Sequence, residues 1–226
     1  MEEIVDLHVD FYNRLLDEAD VLETLDRSQI KILDGFTNQV ELVRHYFQKM
    51  YANDRKRIVF CGINPGKNGA GKTGIPFIDF KGASQLLPGI NENNSERSAQ
   101  FILSIIEEIG IENYHDLVYM TNLSWYGFTK DGRNLNYYKL PGSVQRTFTS
   151  SFIKEMDVVQ PSLIVPLSIK VEESLKQMVE NDELHYPIAP RLSHPYYSSI
   201  KANEDASRKA YLEVIRKYGN EVGMLV

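Results

Sequence analysis

The chain has 226 residues, of which 42% are hydrophobic and 25% charged, with a single cysteine. That mixture excludes a disordered or fibrous protein, and one cysteine excludes an internal disulfide or a cysteine-rich zinc site. The formal charge of −6 lies in the first 50 residues, which hold 11 acidic and 5 basic side chains against 20 of each in the remainder.

No apolar run approaches the ~20 residues that cross a bilayer. The N-terminus, MEEIVDLHVDFYNRLL, is acidic and amphipathic, unlike a signal peptide. A cytoplasmic protein with no membrane contact and no obligate protein partner is expected. The first 16 residues lack Gly and Pro and predict a helix. Residues 37–51 predict another, with Val40, Val43, Phe47 and Met50 at helical spacing. Both fall in the acidic segment 1–52. The run Ile58-Val59-Phe60-Cys61 predicts a buried parallel strand. A Gly-rich loop follows, from Gly62 to Gly74. Residues 100–109 predict a helix closed by Gly110. Residues 117–120 predict a second strand, ending in Thr121-Asn122. Helices are expected over 144–159, 169–179 and 203–218, a third strand over 163–165 and a fourth, short one over 189–193. This alternation implies a three-layer α/β/α fold around a central, mainly parallel four-stranded sheet, in one domain spanning 1–226. In such sheets the working loops leave the carboxyl ends of the strands, here from Gly62, Asn122 and His194 onward.

The first loop supports two readings. Gly66-Lys67-Asn68-Gly69-Ala70-Gly71-Lys72-Thr73 matches the phosphate-cradling P-loop of NTPases. That motif needs a helix starting at its Lys-Thr pair, whereas Gly74-Ile75-Pro76-Phe77 follows here. No later apolar strand ends in an Asp that would hold magnesium. A flexible Gly-Lys loop without a ligand is the plain alternative.

Read from its start, the loop gives Gly62-Ile63-Asn64-Pro65-Gly66 and then Thr73-Gly74-Ile75-Pro76-Phe77. This resembles the first motif of the single-strand-selective monofunctional uracil-DNA glycosylases, in the uracil-DNA glycosylase superfamily. The order and spacing of the second motif, Ser193-His194-Pro195, and of a strand-end Asn122 agree with that family over residues 55–218. The first 50 residues carry no such likeness. The family usually continues His-Pro with Ser-Pro-Arg, where a side chain wedges into the duplex; here Tyr196-Tyr197-Ser198-Ser199-Ile200-Lys201 stands instead, as in a divergent bacterial branch.

The resemblance implies hydrolysis of the N-glycosidic bond of uracil, and of 5-substituted uracils or other deaminated bases, in single-stranded or double-stranded DNA for base excision repair, with no metal or other cofactor. It implies that Asn64 positions the water and that His194 donates a hydrogen bond to the carbonyl that gains charge. Asn122 would read the uracil edge, Phe77 would stack on the base, and Gly62, Ile63 and Gly66 would line its site. Stringent relatives carry Tyr at the position of Gly66, which blocks the thymine methyl; glycine would admit polar groups at the fifth ring position. A turn glycine with positive φ is the other reading of Gly66. A DNA-binding relative without catalysis is the non-enzymatic alternative. The remaining histidines, His8, His45, His115 and His185, read as structural or surface residues.

Charge is consistent with a DNA face. Residues 62–81 balance to +2, 122–146 to +3 and 190–203 to +2, which leaves −13 on the rest of the chain. Lys67, Lys72, Arg191 and Lys201 would meet phosphates, and Tyr196, Tyr197, Trp125 and Tyr126 would stack on unpaired bases.

Overall fold

The computed structural model describes residues 1–224. The N-terminal segment forms α1 (Glu2–Leu15), α2 (Ala19–Arg27), a short strand β1 (Ile30–Ile32), α3 (Gly35–Asn38) and α4 (Val40–Met50). The single helix expected over 37–51 is therefore two, divided at Gln39, whose φ of −123° and ψ of 25° are not helical. Next come β2 (Ile58–Gly62), α5 (Ala70–Thr73), α6 (Phe80–Leu86), α7 (Arg97–Ile109), α8 (Ile111–Leu117) and β3 (Val118–Asn122). A hairpin of β4 (Phe128–Lys130) and β5 (Arg133–Leu135) precedes a 3-10 turn at Tyr137–Lys139. The chain closes with α9 (Gly142–Val159), β6 (Leu163–Pro166), α10 (Ile169–Glu180), α11 (Pro195–Ser198) and α12 (Glu204–Glu221). Gly110 ends α7 with a φ of +90°, a backbone that strains any other residue.

Two three-stranded sheets replace the expected four-stranded one. The central sheet is parallel, in the order β3-β2-β6, with Gly62 opposite Asn122 and Cys61 opposite Pro166. β2 and β3 are buried at every position, which explains their unbroken apolar runs. The expected fourth strand is reduced to one parallel bridge between Ile164 and Ile188. Ile164 N–H donates to Pro187 O and Ala189 N–H to Ile164 O, both at 2.9 Å. The next ladder bond would start from the N–H of residue 166, which is proline and has none. Leu192 N–H instead reaches Pro166 O at 2.9 Å, and this carries the chain to His194.

The second sheet is antiparallel, in the order β1-β4-β5. It joins the N-terminal segment to the hairpin that follows β3. Leu33 N–H extends the pairing to Gly127 O at 2.8 Å. The N-terminal helices continue the same apolar core, through Ile4, Val5, Phe11, Leu15 and Phe36. His8 stacks on Trp125 with ring centroids 3.8 Å apart, bonds the buried Glu155 at 3.1 Å, and its carbonyl accepts the Tyr126 hydroxyl at 2.7 Å. Trp125 and Tyr126 are 3% and 1% exposed, so neither stacks on bases; the N-terminal segment covers them. His115 is likewise buried and structural, donating from Nδ1 to Ile111 O at 2.7 Å and accepting from Tyr46 Oη at 2.8 Å. His45 and His185 are exposed. Among the described residues, no helix is long and apolar enough to cross a membrane.

Candidate active site

The carboxyl ends of β2 and β3 and the loop after β6 meet at a pocket of about 280 Å³, at the small end of ligand sites and suited to one small ring. Ile63, Asn64, Gly66, Phe77, Asn122 and His194 all line it. Gly62 ends β2 beneath them. A Cβ on Gly62 would overlap both the Phe77 ring and Asn122 Oδ1, so only glycine allows the two side chains to meet there.

The turn over 73–77 sets Phe77. Thr73 is fully buried; its hydroxyl donates to Ile78 O at 2.6 Å and accepts from Ile75 N–H at 3.1 Å. The chain passes through Gly74 at φ +74° and reaches Phe77 at φ +60°, a left-handed backbone unusual for an aromatic residue. Asp79 then closes the turn, accepting from Gly82 N–H at 2.7 Å and Glu96 N–H at 2.6 Å and so joining the starts of α6 and α7.

This geometry overturns the P-loop reading. A P-loop helix begins at its Lys-Thr pair, whereas α5 ends there, with Gly74 as its left-handed cap. The amides of Gly69 and Gly71 donate to Gly66 O, those of Lys72 and Thr73 to Gly69 O, and that of Gly74 to Ala70 O. A phosphate would find them already bonded, and the Thr73 hydroxyl turned inward. Gly66 itself lies outside the positive-φ region, so the turn-glycine reading fails as well. A Cβ there would meet only Asn134 Nδ2, at 3.4 Å.

The Asn64 amide is oriented by backbone. Its Nδ2 donates to Pro65 O at 3.2 Å and Leu135 O at 3.3 Å, while Oδ1 accepts from Tyr137 N–H at 2.9 Å. One lone pair of Oδ1 is left over. Asn122 is 3% exposed, and its side-chain amide makes no hydrogen bond to any described residue. His194 caps α11: its Nδ1 accepts from Tyr196 N–H at 3.1 Å. Burial pushes the imidazole down to about 4, so it is neutral near pH 7. With Nδ1 an acceptor, the proton sits on Nε2, and the ring is a neutral donor. The Phe77 and His194 rings lie 6.3 Å apart.

The expected DNA contacts divide. Tyr196 lines the pocket and is 53% exposed. Tyr197 and Arg191 line an adjoining groove that shares His194, and Arg191 lies 3.8 Å from Glu172. Lys201 lies in a second groove, beside Arg97. Lys67 does not line the pocket; its Nζ donates to Gly132 O in the hairpin. Lys72 is exposed and stands outside the pocket. Sequence reasoning missed Glu96, Asn134 and Asn136, which also line it. Asn134 and Asn136 come from a polar hairpin without apolar alternation, and no motif marks them.

A family model described as the Uracil DNA glycosylase superfamily matches residues 49–217. The chain belongs to the uracil DNA glycosylase superfamily. Superfamily membership makes it a DNA glycosylase, a hydrolase of DNA repair. The fold also matches the crystal structure of wild-type SMUG2 from Pedobacter heparinus, with a TM-score of 0.70 and 24% identity over 85% of this chain and 89% of that one. No curated protein matches the sequence. The superfamily match begins at residue 49, so α1, α2, α3 and β1, which cover Trp125 and brace the hairpin, lie outside it.

Proposed function

We propose that the protein is a monofunctional glycosylase that hydrolyses the N-glycosidic bond of uracil, including uracil substituted at its fifth position, in DNA. The observation that carries this reading is the state of the pocket's polar groups. Asn122 offers an unspent amide, His194 a neutral N–H and Asn64 a spare lone pair, all around one aromatic face.

The target base must leave the stack to reach such a pocket. Phe77 receives its face. The Asn122 amide sets a donor beside an acceptor, which matches the O4 and N3–H edge of uracil and mismatches cytosine. As the bond from C1′ to the base breaks, the sugar becomes cationic and the base anionic. His194 Nε2–H then donates to the carbonyl oxygen that gains charge, and a placed neutral donor of this kind contributes roughly 10²–10³ in rate. Asn64 Oδ1 accepts from a water and aims its oxygen at C1′. That water forms the new bond to C1′, the base leaves with the bonding electron pair, and the water's proton passes through solvent to the departing base anion. No lysine is among the described residues that line the pocket, which supports water rather than an amine as the nucleophile. Tyr196 at the pocket and Tyr197, Arg191 and Lys201 in two further grooves support a path for the flanking strand.

Asn64→Ala and His194→Ala test this reading. Each should slow uracil release by roughly 10²-fold or more while DNA binding survives, since both act chiefly on the transition state. Wild-type rates in both variants would place the chemistry elsewhere. Retained DNA binding with no base release by the wild type would mark a non-catalytic relative.

A further inference from the structure

Asn134 is an exposed residue at the pocket rim whose amide orientation is fixed by a backbone donor while its NH₂ faces solvent without a protein acceptor. Its Oδ1 accepts from Lys67 N–H at 3.0 Å. An N–H can meet only the oxygen, so the side-chain NH₂ must be the other arm. Nδ2 makes no hydrogen bond to any described residue and lies 3.4 Å from the point where a Cβ on Gly66 would stand. Both residues line the pocket.

The hairpin that carries Asn134 is held from three directions. β1 pairs with β4, Lys67 Nζ bonds Gly132 O, and Leu135 O and Tyr137 N–H hold the Asn64 amide. The NH₂ group therefore projects from a braced edge rather than from a loose loop.

The pyrimidine ring decides what this donor can meet. Asn122 and Phe77 meet over Gly62, and His194 lies beside Phe77. If Asn122 takes O4 and N3–H and His194 takes O2, ring positions 2, 3 and 4 are occupied. Position 5 is next around the ring, on the side away from His194. Among the remaining lining residues are Gly66, which has no side chain, and Asn134, whose NH₂ stands 3.4 Å from where a Gly66 Cβ would be.

We propose that Asn134 is a specificity residue, whose Nδ2 donates a hydrogen bond to an acceptor oxygen on the fifth position of the flipped pyrimidine, as in formyl or hydroxymethyl substituents. This rests on the uracil-excision reading above. Gly66 supplies the room and Asn134 supplies the recognition.

The decisive substitution is Asn134→Asp. It keeps an oxygen for Lys67 N–H and turns the donor into a charged acceptor that repels the formyl oxygen, whereas Asn134→Ala removes the donor without adding charge. Single-turnover excision is measured for uracil and for 5-formyluracil in single-stranded DNA, with wild type, Asn134→Asp and Asn134→Ala. The formyl oxygen only accepts, so it isolates the donor. Both variants should lose roughly 5- to 10-fold more rate on 5-formyluracil than on uracil, the scale of one net hydrogen bond. Equal losses on both bases would show that Asn134 serves only the hairpin, and would overturn the proposal. So would a wild type that releases uracil but not 5-formyluracil. A wild type that releases neither base would refute the uracil-excision reading itself, and this proposal with it.

Discussion

Replacing Gly62 by alanine probes the site with a single methyl group. Gly62 lies in the β2 strand and its φ is not in the left-handed region, so alanine meets no backbone strain. The cost is side-chain crowding alone. The new Cβ would stand 2.8 Å from Phe77 Cε2 and closer still to Phe77 Cζ and Asn122 Oδ1. Carbon contacts settle at about 3.5–4 Å, so the ring and the amide must part by about 1 Å. Overpacking of this size destabilises by roughly 1–3 kcal/mol, which lowers Tm by about 2–4 °C per kcal/mol in a chain of this length. A misplacement of about 1 Å costs roughly 10²-fold in rate. Gly62→Ala should therefore remain folded, with a lower Tm by calorimetry, and lose about 100-fold in single-turnover release of uracil from single-stranded DNA. A variant with the lowered Tm but the wild-type rate would show that Phe77 and Asn122 do not form the base site.

Three further outcomes follow from the same geometry. His115 takes up its proton at about 4 in the folded chain and near 6.5 when unfolded. Its contribution to stability is thus present above about pH 6.5 and lost as pH falls toward 4, about 3 kcal/mol at 1.36 kcal/mol per unit. His8 and His194 shift in the same direction. Denaturant unfolding at pH 7 and pH 4.5 measures the loss, and equal stabilities would contradict it. Gly66→Tyr should suppress excision of 5-hydroxymethyluracil more than that of uracil, because a ring there meets the substituent and displaces Asn134; equal suppression in paired rate measurements would refute the steric account. Lys72→Ala should cause only a modest, salt-sensitive loss of excision, since Lys72 lies outside the pocket; inactivation by that change alone, or ATP hydrolysis at an enzyme-like rate, would restore the P-loop reading.

The parts of the fold legible in the sequence are those where burial acts on every residue. β2, β3 and β6 lie between layers, and their apolar runs leave little else to be read. The pocket motif was legible because its turn needs particular residues: Thr73 to bond inward, Gly74 for its left-handed backbone, Gly62 for the close approach of two side chains. The second sheet was not legible. Lys31, Lys130 and Arg133 stand in strands of three residues, too short to show alternation. The fourth strand failed at Pro166, a residue whose effect falls on its neighbour rather than on itself. Trp125 and Tyr126 pointed toward DNA only because the partner that buries them, His8, lies more than 100 residues earlier, in a segment without a motif. Asn134 escaped because the bond that orients its amide comes from the backbone of Lys67, 67 residues earlier, and no local pattern marks it.

The most direct measurement incubates the purified protein with single-stranded DNA containing one uracil, in EDTA and without ATP, and then applies alkali to cleave any abasic site. Strand cleavage at the uracil position, with free uracil released in equal amount, is the expected result. Intact DNA under these conditions, with cleavage appearing only on addition of magnesium and ATP or not at all, would contradict the assignment of Asn64, Asn122 and His194 to base excision.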